Sequence, residues 1–170
     1  ESASCNGHIL VSQKLTVKCC IPPTMTIVNG ETCSDKVFFG DITLDPQNST
    51  IRWTVENANG VTGATGGSGS TFSQTLHNPT NSTKTVRYKI IAVGPDGCES
   101  DPQYLDVNVF PAVIANAGPD KISCPGATVT LGGTPPGSGG DGGPYSFEWS
   151  NGETTPTISV TPSITTVYTL

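Results

Sequence analysis

The chain has 170 residues, with 20 Gly, 14 Pro and only 13% charged side chains, and so many helix breakers exclude long helices. Its net charge is −6, from 14 acidic and 8 basic residues, and without a Lys/Arg cluster to neutralise phosphates, nucleic acid is excluded as a partner. No apolar run approaches the ~18 residues of a membrane helix; the longest candidate, "VNVFPAVIANAG", is broken by Asn108, Pro111 and Asn116, so no membrane insertion is expected.

The start, "ESASCNG", has no Met, no basic region and no apolar stretch. It is not a signal peptide; the expectation is that one has been removed or that the chain is a piece of something longer. Strand-like runs follow at 8–19, 24–28, 36–44, 50–57, 70–77, 84–93 and 103–110. Further runs are 120–124, 127–133, 145–151, 157–162 and 165–170. Thr and Val dominate them, and β-branched side chains pack well on a pleated surface. Pro, Gly, Asn and Asp separate them, each with its own reason to turn the chain. Several runs alternate: Ile51, Trp53 and Val55 share one face, as do Val86, Tyr88, Ile90 and Ala92, and Leu105, Val107 and Val109. One wet face and one buried face indicate antiparallel sheets, and the spacing of short strands predicts sandwiches.

Two stretches share an order of landmarks: Cys33, Trp53, Tyr88 and then Cys124, Trp149, Tyr168. A single Trp on a central strand suits the core of an immunoglobulin-like sandwich, so Trp53 and Trp149 are expected to be structural core. The segment "SCNGHILVSQKLTVKCCIP" (4–22) resembles "GCESDPQYLDVNVFP" (97–111) in its Cys, loop, alternating strand and Pro. The expected organisation is therefore 1–22 as the C-terminal strand of a preceding incomplete repeat, 23–111 as a complete sandwich, and 112–170 as a second, C-terminally incomplete one. On this reading the chain is a fragment of a longer tandem array.

The six cysteines are spaced 14, 1, 13, 65 and 26 residues apart, without a CxxC pair, and His8 and His77 are far apart in sequence. That pattern disfavours a metal–thiolate site and points to disulfides in an oxidising compartment. Cys33 precedes its unit's second strand and Cys98 lies in its last hairpin loop, so a Cys33–Cys98 disulfide is expected. Cys124 is expected to be unpaired, and no partners are assigned to Cys5, Cys19 and Cys20.

No catalytic or cofactor motif emerges. The Gly-rich stretches 63–70 and 132–143 lack the Lys of a P-loop and precede strands rather than helices, so they read as flexible loops. No nucleophile elbow is present, and neither His stands in a triad order. Calcium needs six to eight oxygen ligands; Asp96 and Asp101, flanking Cys98, are the one weak surface candidate, and turn residues are the plainer reading. Asn48 and Asn81 open sequons that also serve as turn residues.

"AGPDKISCPGATVTLGG" with "YSFEWSNGETTPTISVTPSITTVYTL" resembles the polycystic-kidney-disease-like (PKD-like), immunoglobulin-like repeats of large Bacteroidota surface proteins. The central unit from "ETCSD" to "GPDGC" resembles a related PKD-like repeat, so the likeness covers about 23–170. The vicinal Cys19–Cys20 pair departs from the repeat pattern. The resemblance implies tandem β-sandwiches in giant adhesins exported by the type IX system, such as the flavobacterial gliding-motility adhesin. It implies a non-catalytic stalk at the outer cell surface whose partners are neighbouring repeats, surface glycans or other adhesion targets, and the secretion and motility machinery. Two alternatives remain at this level: a glycan- or protein-binding module, and an accessory repeat of a secreted enzyme.

Overall fold

A computed structural model describes residues 20–170, and every regular element in that range is a β-strand. The expected strand 8–19, with Cys5 and Cys19, lies outside the described residues. Nine strands build the first sandwich: β1 (Thr24–Val28), β2 (Gly30–Cys33), β3 (Val37–Phe39), β4 (Asp41–Asp45), β5 (Thr50–Asn57), β6 (Gly67–Gly69), β7 (Ser73–Thr75), β8 (Lys84–Val93) and β9 (Gln103–Phe110). One layer is a five-stranded sheet in the order β2-β9-β8-β5-β6; the ladders β1-β4 and β3-β7 face it.

Alternation decides which residues meet between the layers. Val86, Tyr88, Ile90 and Ala92 on β8 and Leu105, Val107 and Val109 on β9 are all fully buried. Met25, Phe38, Leu44, Phe72 and Leu76 come to the same core from the facing side. Phe72 is its centre, with ring centroids 4.9 Å from Tyr88, 5.2 Å from Trp53 and 6.3 Å from Phe38, all edge-on. Edge-to-face rings add attraction beyond area burial because the positive rim of one meets the negative face of the other.

Trp53 needs a partner for its indole N–H, which donates to the Thr65 carbonyl at 3.1 Å. It also needs room. A Cβ on Gly67 would lie 2.7 Å from Trp53 Cζ2, so β6 is glycine-rich because the indole lies against its backbone. The expected flexible loop over 63–70 is thus corrected: 67–69 form an edge strand on β5, in the register Ile51↔Gly69 to Trp53↔Gly67. The expected single strand 36–44 is broken at Gly40, where a Cβ would meet the Phe72 ring at 3.0 Å.

The chain changes layers between β1 and β2. β1 pairs antiparallel with β4, whereas β2 pairs parallel with β9, in the register Gly30↔Val107 to Cys33↔Phe110. Asn29 stands at the switch, its side-chain oxygen accepting the Asp106 N–H at 2.9 Å. The expectation of purely antiparallel sheets is corrected here. "GETC" has one β-branched side chain, Thr32, and no apolar alternation, so its pairing left little trace in composition.

The remaining strands are short: β10 (Ile114–Ala115), β11 (Val129–Leu131), β12 (Gly137–Ser138) and β13 (Ile158–Val160). β10 pairs with β12 and β11 with β13, both antiparallel. This repeats β1 with β4 and β3 with β7. The core is small: Trp149, Ile158 and Val160 are buried, with Ala117, Leu131, Tyr168 and Leu170 packed against them. Trp149 Nε1 donates to the Thr155 carbonyl at 2.9 Å, and Ser150 N donates to Thr169 O at 2.8 Å. Both tryptophans are thus buried with their indole N–H groups satisfied, as core positions require.

The disulfide is Cys20–Cys98, with the Cα atoms 5.6 Å apart; the expected Cys33–Cys98 bond is corrected. Cys33 sits beside Phe110, at the end of β9, while Cys98 precedes that strand's start at Gln103. Seven residue steps of strand separate the two ends, ~23 Å at ~3.3 Å per residue, and a disulfide spans Cα atoms less than about 7 Å apart. Among the described residues Cys33 and Cys124 have no disulfide partner, and both are exposed. The bridge ties the chain just before β1 to the β8–β9 connection.

Two stability predictions follow from this packing. Trp53→Ala and Trp149→Ala each lower the stability of the packing around them by about 3–5 kcal/mol, as emptying a core aromatic site does, measured by denaturant melts followed by circular dichroism, while the fluorescence of the remaining Trp keeps its native midpoint. Cys20→Ser lowers the stability of the first unit by about 4 kcal/mol in the chain-entropy account of a long closed loop, whereas Cys33→Ser leaves its melting midpoint unchanged.

Candidate functional site

One group of described residues carries the side-chain types of a hydrolytic triad: Ser34, Asp35 and His77. The turn after β2 brings them together. Asp35 takes a positive φ of 65°, a conformation Asp tolerates better than most residues. Ser34 N donates to Phe110 O at 2.9 Å and Asp35 N to Leu76 O at 2.8 Å, so the turn is pinned between β9 and the segment carrying His77. Nothing in the one-dimensional spacing signalled this; the partners are 43 positions apart.

The geometry is not that of an acyl-transfer site. A triad needs the hydroxyl on one imidazole nitrogen and the carboxylate on the other. Here His77 Nδ1 faces Asp35 Oδ1 at 3.0 Å and Ser34 Oγ at 3.4 Å, so both partners crowd one nitrogen. Ser34 Oγ donates to Asp35 Oδ2 at 3.1 Å and accepts the Asn78 N–H at 3.0 Å. Ser34 is buried, leaving no approach for a substrate.

The group instead continues into a structural lock. Asn78 is buried, and its amide donates to Val109 O at 2.7 Å and Ser82 O at 2.9 Å. Its oxygen accepts from Thr80 N at 3.0 Å and Thr80 Oγ1 at 2.7 Å. Every polar atom of the side chain is paired, as burial demands. The loop 78–83, which contains Asn81, is thereby fastened to the end of β9.

The other expected sites are dispersed or structural. Asp96 Oδ1 accepts the Cys98 N–H at 3.3 Å, a turn contact. Among the described residues no group of three or more His, Cys, Asp or Glu converges as a metal site would require, and Asp96 and Asp101 gain no third ligand. Asn48 and Asn81 are exposed. Glycan platforms rely on grouped, exposed aromatic faces, but Trp53 and Trp149 are buried, and the exposed Phe39 and Tyr104 belong to different sheets. Within 132–143, expected to be a loop, Gly137–Ser138 form β12. A Cβ on Gly139 would collide with Ala112 O, so close backbone approach requires glycine there.

The outer face of the five-stranded sheet holds the best-defined electrostatics. Arg87 binds Asp106 with two parallel bonds, Nε to Oδ1 at 2.7 Å and Nη2 to Oδ2 at 2.6 Å, and its guanidinium lies 5.7 Å from the Tyr104 ring centroid. Arg52 and Glu99 form a second pair at 2.9 Å. The Arg87 hydrogen bonds hold the Asp106 carboxyl below the usual carboxylate range, against a smaller opposing effect of desolvation. Burial pushes the Tyr88 phenol above its ordinary value, so it stays neutral and can serve as core.

A folded-state carboxyl held below its unfolded value contributes stability at pH above that unfolded value. The contribution is lost as pH falls through the lowered folded value. The stability difference between the native protein and Asp106→Asn should therefore be constant near neutrality and shrink to nothing in acid, read from denaturant midpoints across a pH series.

The chain matches the PKD-like domain family over residues 26–113, just over half its length. No curated protein matches it. No helix of the described residues is long and apolar enough to cross a membrane. PKD-like domains are generally non-catalytic binding or structural modules, and a module of this kind closed by a disulfide fits an extracellular setting. The matched segment is the one whose two layers close around Phe72, and an all-β sandwich is what that family implies: the chain belongs to the PKD-like domain family.

Proposed function

We propose that this chain is a non-catalytic structural segment of a long, secreted cell-surface adhesin built from tandem PKD-like sandwiches, serving surface attachment or gliding motility. The observation that carries the reading is the recurrence of one pairing scheme. β10-β12 and β11-β13 repeat β1-β4 and β3-β7, each beside a buried Trp whose indole N–H bonds a carbonyl. Arrays of such units act as extended stalks, with each unit touching only its neighbours. The short connection from Phe110 to Ile114 contains Pro111, and Gly140 N donates back to Pro111 O at 2.9 Å, which restrains bending between units.

Partners on this reading are the neighbouring repeats, with surface glycans or other adhesion targets engaged elsewhere in the parent, and the secretion and motility machinery that exports and moves it. The acidic balance of the chain favours solubility of a densely exposed filament.

Antibodies raised against the purified chain should label intact cells of the source organism without permeabilisation, and the chain should show no hydrolysis of peptide, ester or glycoside panels. Labelling only after lysis would remove the surface role. Turnover abolished by Asp35→Asn or His77→Gln would overturn the non-catalytic reading.

A further inference from the structure

An Asn-Gly step can modify itself, because glycine has no side chain to keep its backbone nitrogen from reaching the preceding carboxamide. Three such steps lie among the described residues: Asn29-Gly30, Asn59-Gly60 and Asn151-Gly152. Asn6-Gly7 lies outside them. The intrinsic chemistry of the three is alike, so the fold decides which of them reacts.

Two of the three are held. Asn29 Oδ1 accepts the Asp106 N–H at 2.9 Å, and Gly30 opens β2 against β9. A Cβ on Gly30 would overlap the Phe38 ring, so that ring walls in the 29–30 peptide. Asn151 Oδ1 accepts the Glu153 N–H at 3.2 Å, and the Gly152 N–H, on the nitrogen that would attack, donates to Trp149 O at 2.8 Å. Reaction at either step requires these bonds to break first.

Asn59-Gly60 is the exception. It forms the tip of the turn 58–61, closed by Val61 N to Ala58 O at 2.8 Å, with φ of 49° at Asn59 and 85° at Gly60, a pair of positive φ values that favours this dipeptide. Both residues are exposed. Chain neighbours aside, no heavy atom lies within 4 Å of where a Cβ on Gly60 would stand, so the 59–60 peptide has room to swing. Among the described residues the Gly60 N–H meets no acceptor and Asn59 Oδ1 receives no donor. The side-chain bond that does form is Nδ2–H to Thr85 O at 2.5 Å. It holds the nitrogen that leaves and not the carbon that is attacked.

We propose that Asn59 is a self-modification site of the folded protein. Gly60 N loses its proton to solvent and bonds to Asn59 Cγ. The Cγ–Nδ2 bond breaks, and Nδ2 leaves as ammonia, taking a proton back from solvent. Water then adds to the cyclic imide and opens either of its ring C–N bonds, which leaves an aspartate at position 59 or an isoaspartate whose backbone runs through the side chain. No oxidant and no enzyme takes part. Each event changes the net charge from −6 to −7. A carboxylate at position 59 has no N–H to give to Thr85 O, so the turn loses its fastening to β8. The site thereby records the age of the folded chain. The inference rests on the fold and not on the adhesin role.

Peptide mapping of the full chain, kept folded in mildly alkaline buffer with its disulfide intact and sampled over time, tests it by counting the asparagine, aspartate and isoaspartate forms at each step. Conversion at Asn59 should be at least about tenfold faster than at Asn29 or Asn151, since each of those must first give up the bonds that hold it. It should quicken as pH rises, because attack needs the deprotonated nitrogen. In denaturant the three rates should converge. Asn59→Gln should remove the early acidic isoform seen by ion exchange while conversion at Asn29 and Asn151 stays slow. The proposal is overturned if Asn59 stays intact over the period in which the unfolded chain converts, if Asn29 or Asn151 keeps pace with it in the folded chain, or if the same ranking persists in denaturant.

Discussion

The first sandwich depends on accommodating one large ring against backbone. Trp53 lies on β5, its indole flat against Gly67 and its N–H on Thr65 O. Phe72 then bridges Trp53 to Tyr88 and Phe38, at the centre of the core that both layers share. Glycines at 40 and 67 supply the space for Phe72 and Trp53, respectively. Native interiors are packed like crystals, and here the density comes from setting rings against bare backbone.

Around that centre the polar groups act as fasteners. Asn78 ties loop 78–83 to β9, Asn29 ties the layer switch to Asp106, and Gln74 Oε1 receives the Thr65 N–H at 2.9 Å beneath the same loop that accepts the Trp53 indole. Asn78 and Gln74 are buried, would be costly if unpaired, and are paired. The grouping of Ser34, Asp35 and His77 belongs with these fasteners. Its residue types are those of a hydrolase, but the hydroxyl is buried and committed, and one imidazole nitrogen receives both partners. Residue type suggests chemistry; geometry decides it.

The described residues form two buried clusters of very different size. Fifteen buried residues form the first cluster and three the second. Beside the larger cluster the two-stranded ladders β1-β4 and β3-β7 face the five-stranded sheet, and beside the smaller one only the ladders β10-β12 and β11-β13 form. The five-stranded layer has no full counterpart among the described residues, and the second core is thin for that reason. A sandwich buries a face only when both layers are present.

The sequence by itself determined the strands that alternate or are rich in β-branched residues. Runs 24–28, 50–57, 84–93 and 103–110 coincide with β1, β5, β8 and β9, because a period of two with one apolar face has no other stable use. It also determined that Trp53 and Trp149 are core. It did not determine β2 and β6, since "GETC" and "GSG" carry no pattern; β2 forms because the chain switches layers at Asn29, and β6 because Trp53 requires bare backbone beside it. The disulfide was decided by tertiary structure alone. Cys33 and Cys98 both lie at strand ends, but the parallel pairing of β2 with β9 puts them at opposite ends of one strand and leaves Cys20 beside Cys98. Likewise the Ser34–Asp35–His77–Asn78 lock joins residues more than forty positions apart, and only the packing of the turn after β2 against the segment after β7 brings them within hydrogen-bonding distance.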